Sequence, residues 1–430
     1  MAGFGRIFKG AAVASIVALS VAACGGGDGG NGGDAAPAGG DTSKGADARG
    51  PISFAMGKND IDKLQPVIEK WNAEHPEEKV ELKELAGEAD AQRDTLVQTL
   101  QAQSGEYDVF ALDVTDTAYF AANGWLQPIE GDTKVDTSGL VQAAVDSATY
   151  NGKLYAVPQN TNAQLLYYRT DMQPQAPANW QALVDSCTVA KERNVDCLQT
   201  QLSQYEGLTV AATQFINGWG GTVVGEDGKT PEVGSDQSKE GLQALVDGYN
   251  NDVISKKTDA FTEEETALAF LAGETMYSYN WPYMYDKAKT EDSSKVKDQF
   301  NVAPIVGKDG AGASTLGGYN NAINVFSENK ATAVDFVNFI ISEDVQMGFA
   351  KASFPPVLKS IYDDQALQQE FPYMPALKAA LESAKPRPVT PFYPAVSKAI
   401  QDNAYAALKG QKDVNQATAD MATAIEQAGA

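Results

Sequence analysis

Apolar positions along residues 51–430 alternate between two rhythms. "PISFAM" (51–56) is a short apolar run of strand type, and Leu64, Val67, Ile68 and Trp71 then recur at helical spacing behind Asp60. Val80, Leu82 and Leu85 return to strand spacing. Leu96, Val97 and Leu100 mark a second helix ended by Gly105, and "YDVFALD" (107–113) reads as a buried strand with an acid at its carboxyl end. This succession predicts an α/β fold, a sheet with crossover helices. In open α/β sheets ligands sit beyond the carboxyl ends of the strands. Asn59, Asp60 and Asp113 are therefore placed for binding.

Further on, Asn151-Gly152 between alternating residues is a hairpin signal, and "AQLLYYR" (163–169) is the next strand. Tyr167 and Tyr168 are neighbours on that strand and point to opposite faces, which speaks against a shared iron site. Helices dominate from about 178 to 272, and Thr262 and Glu265 stand at capping-box spacing at the start of one of them. The strand "TMYSYN" then runs into "WPYMYDKA". Pro282 suits a first helical turn, so Trp281 falls at a strand-to-helix junction. That position favours a ligand platform over core filler for Trp281 and Tyr283, and leaves Tyr277, Tyr279 and Tyr285 to packing. "FNVAPIVG" and "TLGGYNNAINVF" read as strands around a loop, with Gly317 and Gly318 permitting close backbone approach. Helices follow at about 331–341 and 344–352, and two more close the chain. Three prolines near Arg387 hold it on an extended loop.

The N-terminus differs in kind. Arg6 and Lys9 precede an apolar run, Ala11 to Ala23, too short to span a bilayer and suited to a secretory signal peptide over residues 1–23. The run ends in "SVAAC", which resembles the lipobox of bacterial lipoproteins and implies lipidation of Cys24. Residues 25–50 are Gly-rich without a preceding strand or a Gly-Lys-Ser/Thr, so residues 24–50 read as a lipidated cysteine and a flexible tether. The formal charge of −24 becomes about −26 without residues 1–23, which excludes nucleic acid and anionic membrane surfaces as partners. Cys187 and Cys197 read as a local disulfide in an exported chain, with two unpaired buried thiols as the other possibility. With His75 as the only histidine and no metal-ligand spacing, neither a zinc site nor a Ser-His or Cys-His nucleophile is expected.

Several stretches together resemble one family: "YDVFALDVTDTAYFAANGWLQPI", "NGKLYAVPQNTNAQLLYYRTDM", "QYEGLTV", "YNWPYMYDKA", "LGGYNNAI" and "RPVTPFYPAVSKAIQDNAYAALKG". The family is the extracytoplasmic sugar-binding lipoproteins of ABC importers, the maltose/trehalose-type group of family 1 solute-binding proteins. The resemblance covers nearly all of residues 51–430. It implies a two-lobed periplasmic-binding-protein-like fold with a hinge and a ligand cleft between the lobes. Lobe one would be residues 51–160 plus 305–354 and lobe two 161–304 plus 355–430, with chain crossings near 160–163, 304 and 354–356. It implies a monomer anchored by lipid to the outer face of the plasma membrane, a sugar ligand, and permease subunits served by a cytoplasmic ATPase. No cofactor is implied.

Carried over by matched motif, Asp113 is an acid that grips hydroxyls, Trp281 and Tyr283 are the stacking pair, Gly318 offers a backbone donor and Arg387 is a cationic clamp. Asn162 stands where the family commonly has an aspartate, and Tyr319 where a tryptophan is frequent. Both departures speak against trehalose or maltose itself. Two other classes have weaker support in the sequence. A secreted glycoside hydrolase would need a pair of catalytic carboxylates, and no catalytic motif stands out. The other is the same fold binding another solute, such as a peptide or polyamine; a polyamine site would need an acid cage and would leave Arg387 without a purpose.

Overall fold

The computed structural model describes residues 39–225 and 227–430, and the residues read as a signal peptide, Cys24 and the first part of the expected tether lie outside them. Among the described residues the strands are β1 (Ile52–Gly57), β2 (Val80–Leu85), β3 (Val109–Asp113), β4 (Thr149–Tyr150), β5 (Lys153–Leu154), β6 (Ala156–Ala163), β7 (Leu165–Arg169), β8 (Asp196–Gln199), β9 (Thr275–Asn280), β10 (Phe300–Pro304) and β11 (Leu316–Ile323). They form a five-stranded sheet in the order β2-β1-β3-β11-β6 and a four-stranded sheet in the order β10-β7-β9-β8. In the first sheet β1 runs parallel to β2 and β3, while β11 is antiparallel to β3 and β6. Helices Ile61–Glu74 and Ala89–Gln101 are the crossovers between its parallel strands. β4 and β5 form the hairpin that Asn151-Gly152 predicts. Both residues have positive φ, 49° and 75°, as a two-residue hairpin loop requires.

Each sheet has its own apolar filling. Trp71, Phe54 and Phe336 pack on one face of the first sheet with helix Lys330–Ile340. Helices Glu206–Gly218, Tyr393–Leu408 and Val414–Gly429 cover one face of the second sheet, where Tyr277 and Tyr279 are buried. Tyr285 is buried in the cluster on the other face, beside Phe300 and Tyr373. These three tyrosines pack, as their positions predict. Only Gln164 separates β6 from β7, so the chain passes directly from one sheet to the other. The result is a mixed α/β two-lobed fold.

Three sequence expectations need correction. The strand expected from Ala163 onward is preceded by β6, "AVPQNTNA", which is buried throughout despite its polar residues. A short strand, β8, interrupts the region read as helical. The flexible tether expected over residues 24–50 is not free at its end. The Lys330 ammonium, buried, donates to the carbonyls of Asp41, Thr42 and Lys44, the last at 2.7 Å. Arg49 pairs with Glu78 and Asp335, and Gly50 N–H donates to Thr332 Oγ1 at 3.2 Å. A buried ammonium needs such acceptors, and the strap supplies them.

Candidate ligand-binding site

A cavity opens where the carboxyl ends of β1, β3, β6 and β9 converge with the first residues of β11. It holds ≈ 640 Å³ of atom-free space, open solvent at its mouth included. All nine residues singled out from the sequence line it: Asn59, Asp60, Asp113, Asn162, Trp281, Tyr283, Gly318, Tyr319 and Arg387. The pairing of Tyr319 with Asp113 in the β3–β11 ladder explains how β11 brings its glycines to the end of β3.

Backbone geometry forms one wall. Gly318 has φ of 123°, and a Cβ there would lie 2.4 Å from the Asn160 carbonyl oxygen, so only glycine fits. Its carbonyl accepts from Val114 N–H at 3.2 Å. A Cβ on Gly317 would meet the Trp281 ring at 2.8 Å. The missing side chain therefore lets the indole lie against the β11 backbone. Trp281 is held from behind as well. Its backbone N–H donates to Asn280 Oδ1 at 2.8 Å, and its backbone carbonyl accepts from the Tyr167 hydroxyl at 2.9 Å. Tyr283 is buried beside it, with its hydroxyl donating to the Glu263 carbonyl at 3.2 Å and the Lys287 ammonium over its ring.

Arg387 lines the cavity but is not a free clamp, and this corrects the expectation. Its side chain is 1% exposed. One end of its fork donates to Glu206 Oε1 at 2.5 Å and the other to Asp113 Oδ1 at 2.9 Å. Glu206 also accepts from the hydroxyls of Tyr393 and Ser397. Asp113 Oδ1 further accepts from Thr115 N–H at 3.1 Å and Thr115 Oγ1 at 2.9 Å. The guanidinium thus aims Asp113 by tying it to the first residue of helix Glu206–Gly218.

Asp60 stands in contrast. It is 8% exposed, and its carboxylate has no hydrogen-bond partner among the described residues. Burial pushes its carboxyl up to about 7, against the opposing pull of Lys63. Asn59 donates to the Gly87 carbonyl at 3.2 Å. Asn162 is buried with Oδ1 unpartnered. The Tyr319 backbone N–H donates to Asn160 Oδ1 at 3.0 Å.

Sequence reasoning missed Glu206, Tyr205 and Glu263, which also line the cavity. Tyr205 donates to Glu263 Oε2 at 2.6 Å. The signals available were "QYEGLTV", quoted for its resemblance without a role, and the helix start whose capping box the structure bears out. Glu263 is the residue after the capping Thr262, turned toward the cavity.

Such a cleft, set between two sheets joined by short crossings, defines a two-lobed solute-binding protein. Residues 57–347 match the family described as bacterial extracellular solute-binding protein. A probable ABC transporter-binding protein of Deinococcus radiodurans is 30% identical over 355 residues, 76% of this chain and 81% of that protein. A lactose-binding protein of Rhizobium radiobacter is 25% identical over 296 residues, 66% of this chain and 68% of that one. Among solved structures, maltose-bound MalE3 of T. maritima matches with a TM-score of 0.82 and 29% identity, covering 88% of this chain and 99% of its own. The chain belongs to the bacterial extracellular solute-binding proteins and shares their fold. Membership sets its place of work outside the cytoplasm.

Proposed function

We propose that this protein is the substrate-binding component of an ABC importer. It captures a sugar, a disaccharide or short oligosaccharide such as an α-glucoside, by closing residues 51–160 plus 305–354 against 161–304 plus 355–430, and delivers it to a membrane permease. The observation that carries the reading is Trp281 laid on the Gly317 backbone at the edge of a cavity rimmed by carboxylates. An indole buries the C–H patches of a pyranose face, and ionised carboxylates accept from its hydroxyls in the stronger, charge-assisted way. Relatives that bind maltose and lactose support the class. In this reading Asn59, Asp60, Asp113, Asn162, Trp281, Tyr283, Gly318 and Tyr319 touch the ligand, and Arg387 acts through Asp113. Lipid on Cys24 holds the monomer at the outer face of the membrane.

Thermal-shift screening of the purified protein against mono- and disaccharides tests this, because a ligand that binds only the native form raises the melting temperature. A sugar that raises it in the wild type and not in Trp281→Ala is the expected result. A panel in which no sugar shifts the transition would end the reading.

A further inference from the structure

Donors and acceptors at the cavity are unequally committed. The Arg387 fork is bound to Glu206 and Asp113, the Tyr205 hydroxyl to Glu263, the Tyr283 hydroxyl to a carbonyl, and the Asn59 amide to Gly87. Without a partner among the described residues are the Asp60 carboxylate, Oδ2 of Asp113 and, in buried side chains, Oδ1 of Asn162 and Nε of Arg387. Four carboxylates, those of Asp60, Asp113, Glu206 and Glu263, face one guanidinium. The lysines nearest Asp60 offset its charge only in part, since neither makes an ion pair with it. Lys63 is paired with Asp62 at 2.9 Å and Asp286 at 3.4 Å, and Lys287 with Glu264 at 2.9 Å.

A neutral sugar can satisfy these lone pairs, since each hydroxyl donates one hydrogen. It cannot supply the counter-charge that a buried carboxylate lacks. An ammonium offers donors without acceptors and brings that charge. Resting on the sugar reading above, we infer that the sugar captured here carries a protonated amine, seated against Asp60. The commitment of Arg387 to two protein carboxylates removes the argument that a guanidinium in the cavity repels cations.

Isothermal titration of the purified protein with pairs differing only in one amino group tests the inference: glucosamine against glucose, trehalosamine against trehalose, with N-acetylglucosamine as the masked amine and putrescine as a sugar-free cation. All are measured at a pH that keeps the amines protonated. At least one amino sugar is expected to bind tenfold or more tighter than its neutral counterpart, with the advantage lost on acetylation and in Asp60→Asn. Amino sugars no tighter than their neutral counterparts overturn the inference, and a neutral sugar that binds leaves the sugar reading standing. Putrescine bound while every sugar is refused overturns both.

Discussion

Asp60 carries a cost that its position explains. An aspartate ordinarily titrates near 3.8, and burial moves this one to about 7 in the folded chain. Between those values the native state holds the proton that the unfolded state has released. The group therefore erodes stability progressively as pH rises from about 4 to 7, and the loss is constant above that. Lys63 and Lys287 pull the other way, while Asp62 and Glu263 reinforce the shift. Linkage puts the full loss at no more than roughly 4 kcal/mol. Asp60→Asn should accordingly stabilise the ligand-free protein at pH 8 and change it little near pH 4, as urea unfolding at the two pH values reads directly. An equal effect at both would mean that Asp60 is not the strained acid described. Arg387→Ala acts in the opposite sense. It leaves Glu206 buried without its counter-charge, at about 3–5 kcal/mol, and frees the half-buried Asp113, so the melting temperature and sugar binding should fall together. Asn59, Asp60 and Asp113 were legible because strand ends can be read from periodicity. Glu206 was not, because its partners Arg387, Tyr393 and Ser397 lie 181 to 191 residues away and nothing local marks it among 57 acids.

At the scale of elements, the two strands that periodicity did not reveal have opposite explanations. β6 is polar in sequence, yet several of its polar groups are engaged: Asn160 Oδ1 accepts from Tyr319 N–H, and the Gln159 backbone carbonyl accepts from Gln346 Nε2 at 2.9 Å. Polarity hid a buried strand because the register is held by such contacts as well as by apolar alternation. β8 is four residues long, too short for a pattern, and is tied to helix Trp180–Glu192 through the Cys187–Cys197 disulfide. The pairing was legible because two cysteines ten apart in an exported chain leave few options. Closing so short a loop contributes about 2–3 kcal/mol. The Cys187→Ser, Cys197→Ser double variant should melt several degrees lower with its sugar preference unchanged, since neither residue lines the cavity. The N-terminal strap makes its own prediction. Lys330→Met takes the ammonium from three carbonyls, and limited proteolysis should then cut within residues 41–50 faster than in the wild type.

Across the whole molecule, the proposed closure makes contacts between the two lobes decide how much of the ligand's binding energy it consumes. Asp90 belongs to helix Ala89–Gln101, which packs on the first sheet. Its Oδ2 accepts from the backbone N–H of Glu206 at 2.9 Å, at the start of a helix that packs on the second sheet, and from Gln401 Nε2 at 3.2 Å. An aspartate at a helix N-terminus is favoured by the orphan N–H groups and the helix dipole, and here it comes from the other lobe. Arg93 pairs with Asp90, so the carboxylate is held toward that helix. Asp90 does not line the cavity, so under the proposed closure its contribution would pass through closure alone. Capping bonds of this kind are worth about 0.5–2 kcal/mol. Removing one lowers the population of the binding-competent form, and the apparent dissociation constant rises by the same factor, about 2- to 30-fold. Asp90→Ala should thus weaken every ligand by a common factor and enlarge the radius of gyration of the unliganded protein in X-ray scattering. Asp60→Asn should instead alter the ranking of ligands and leave that radius unchanged. An Asp90→Ala protein with wild-type affinity would show that the cap contributes nothing to closure.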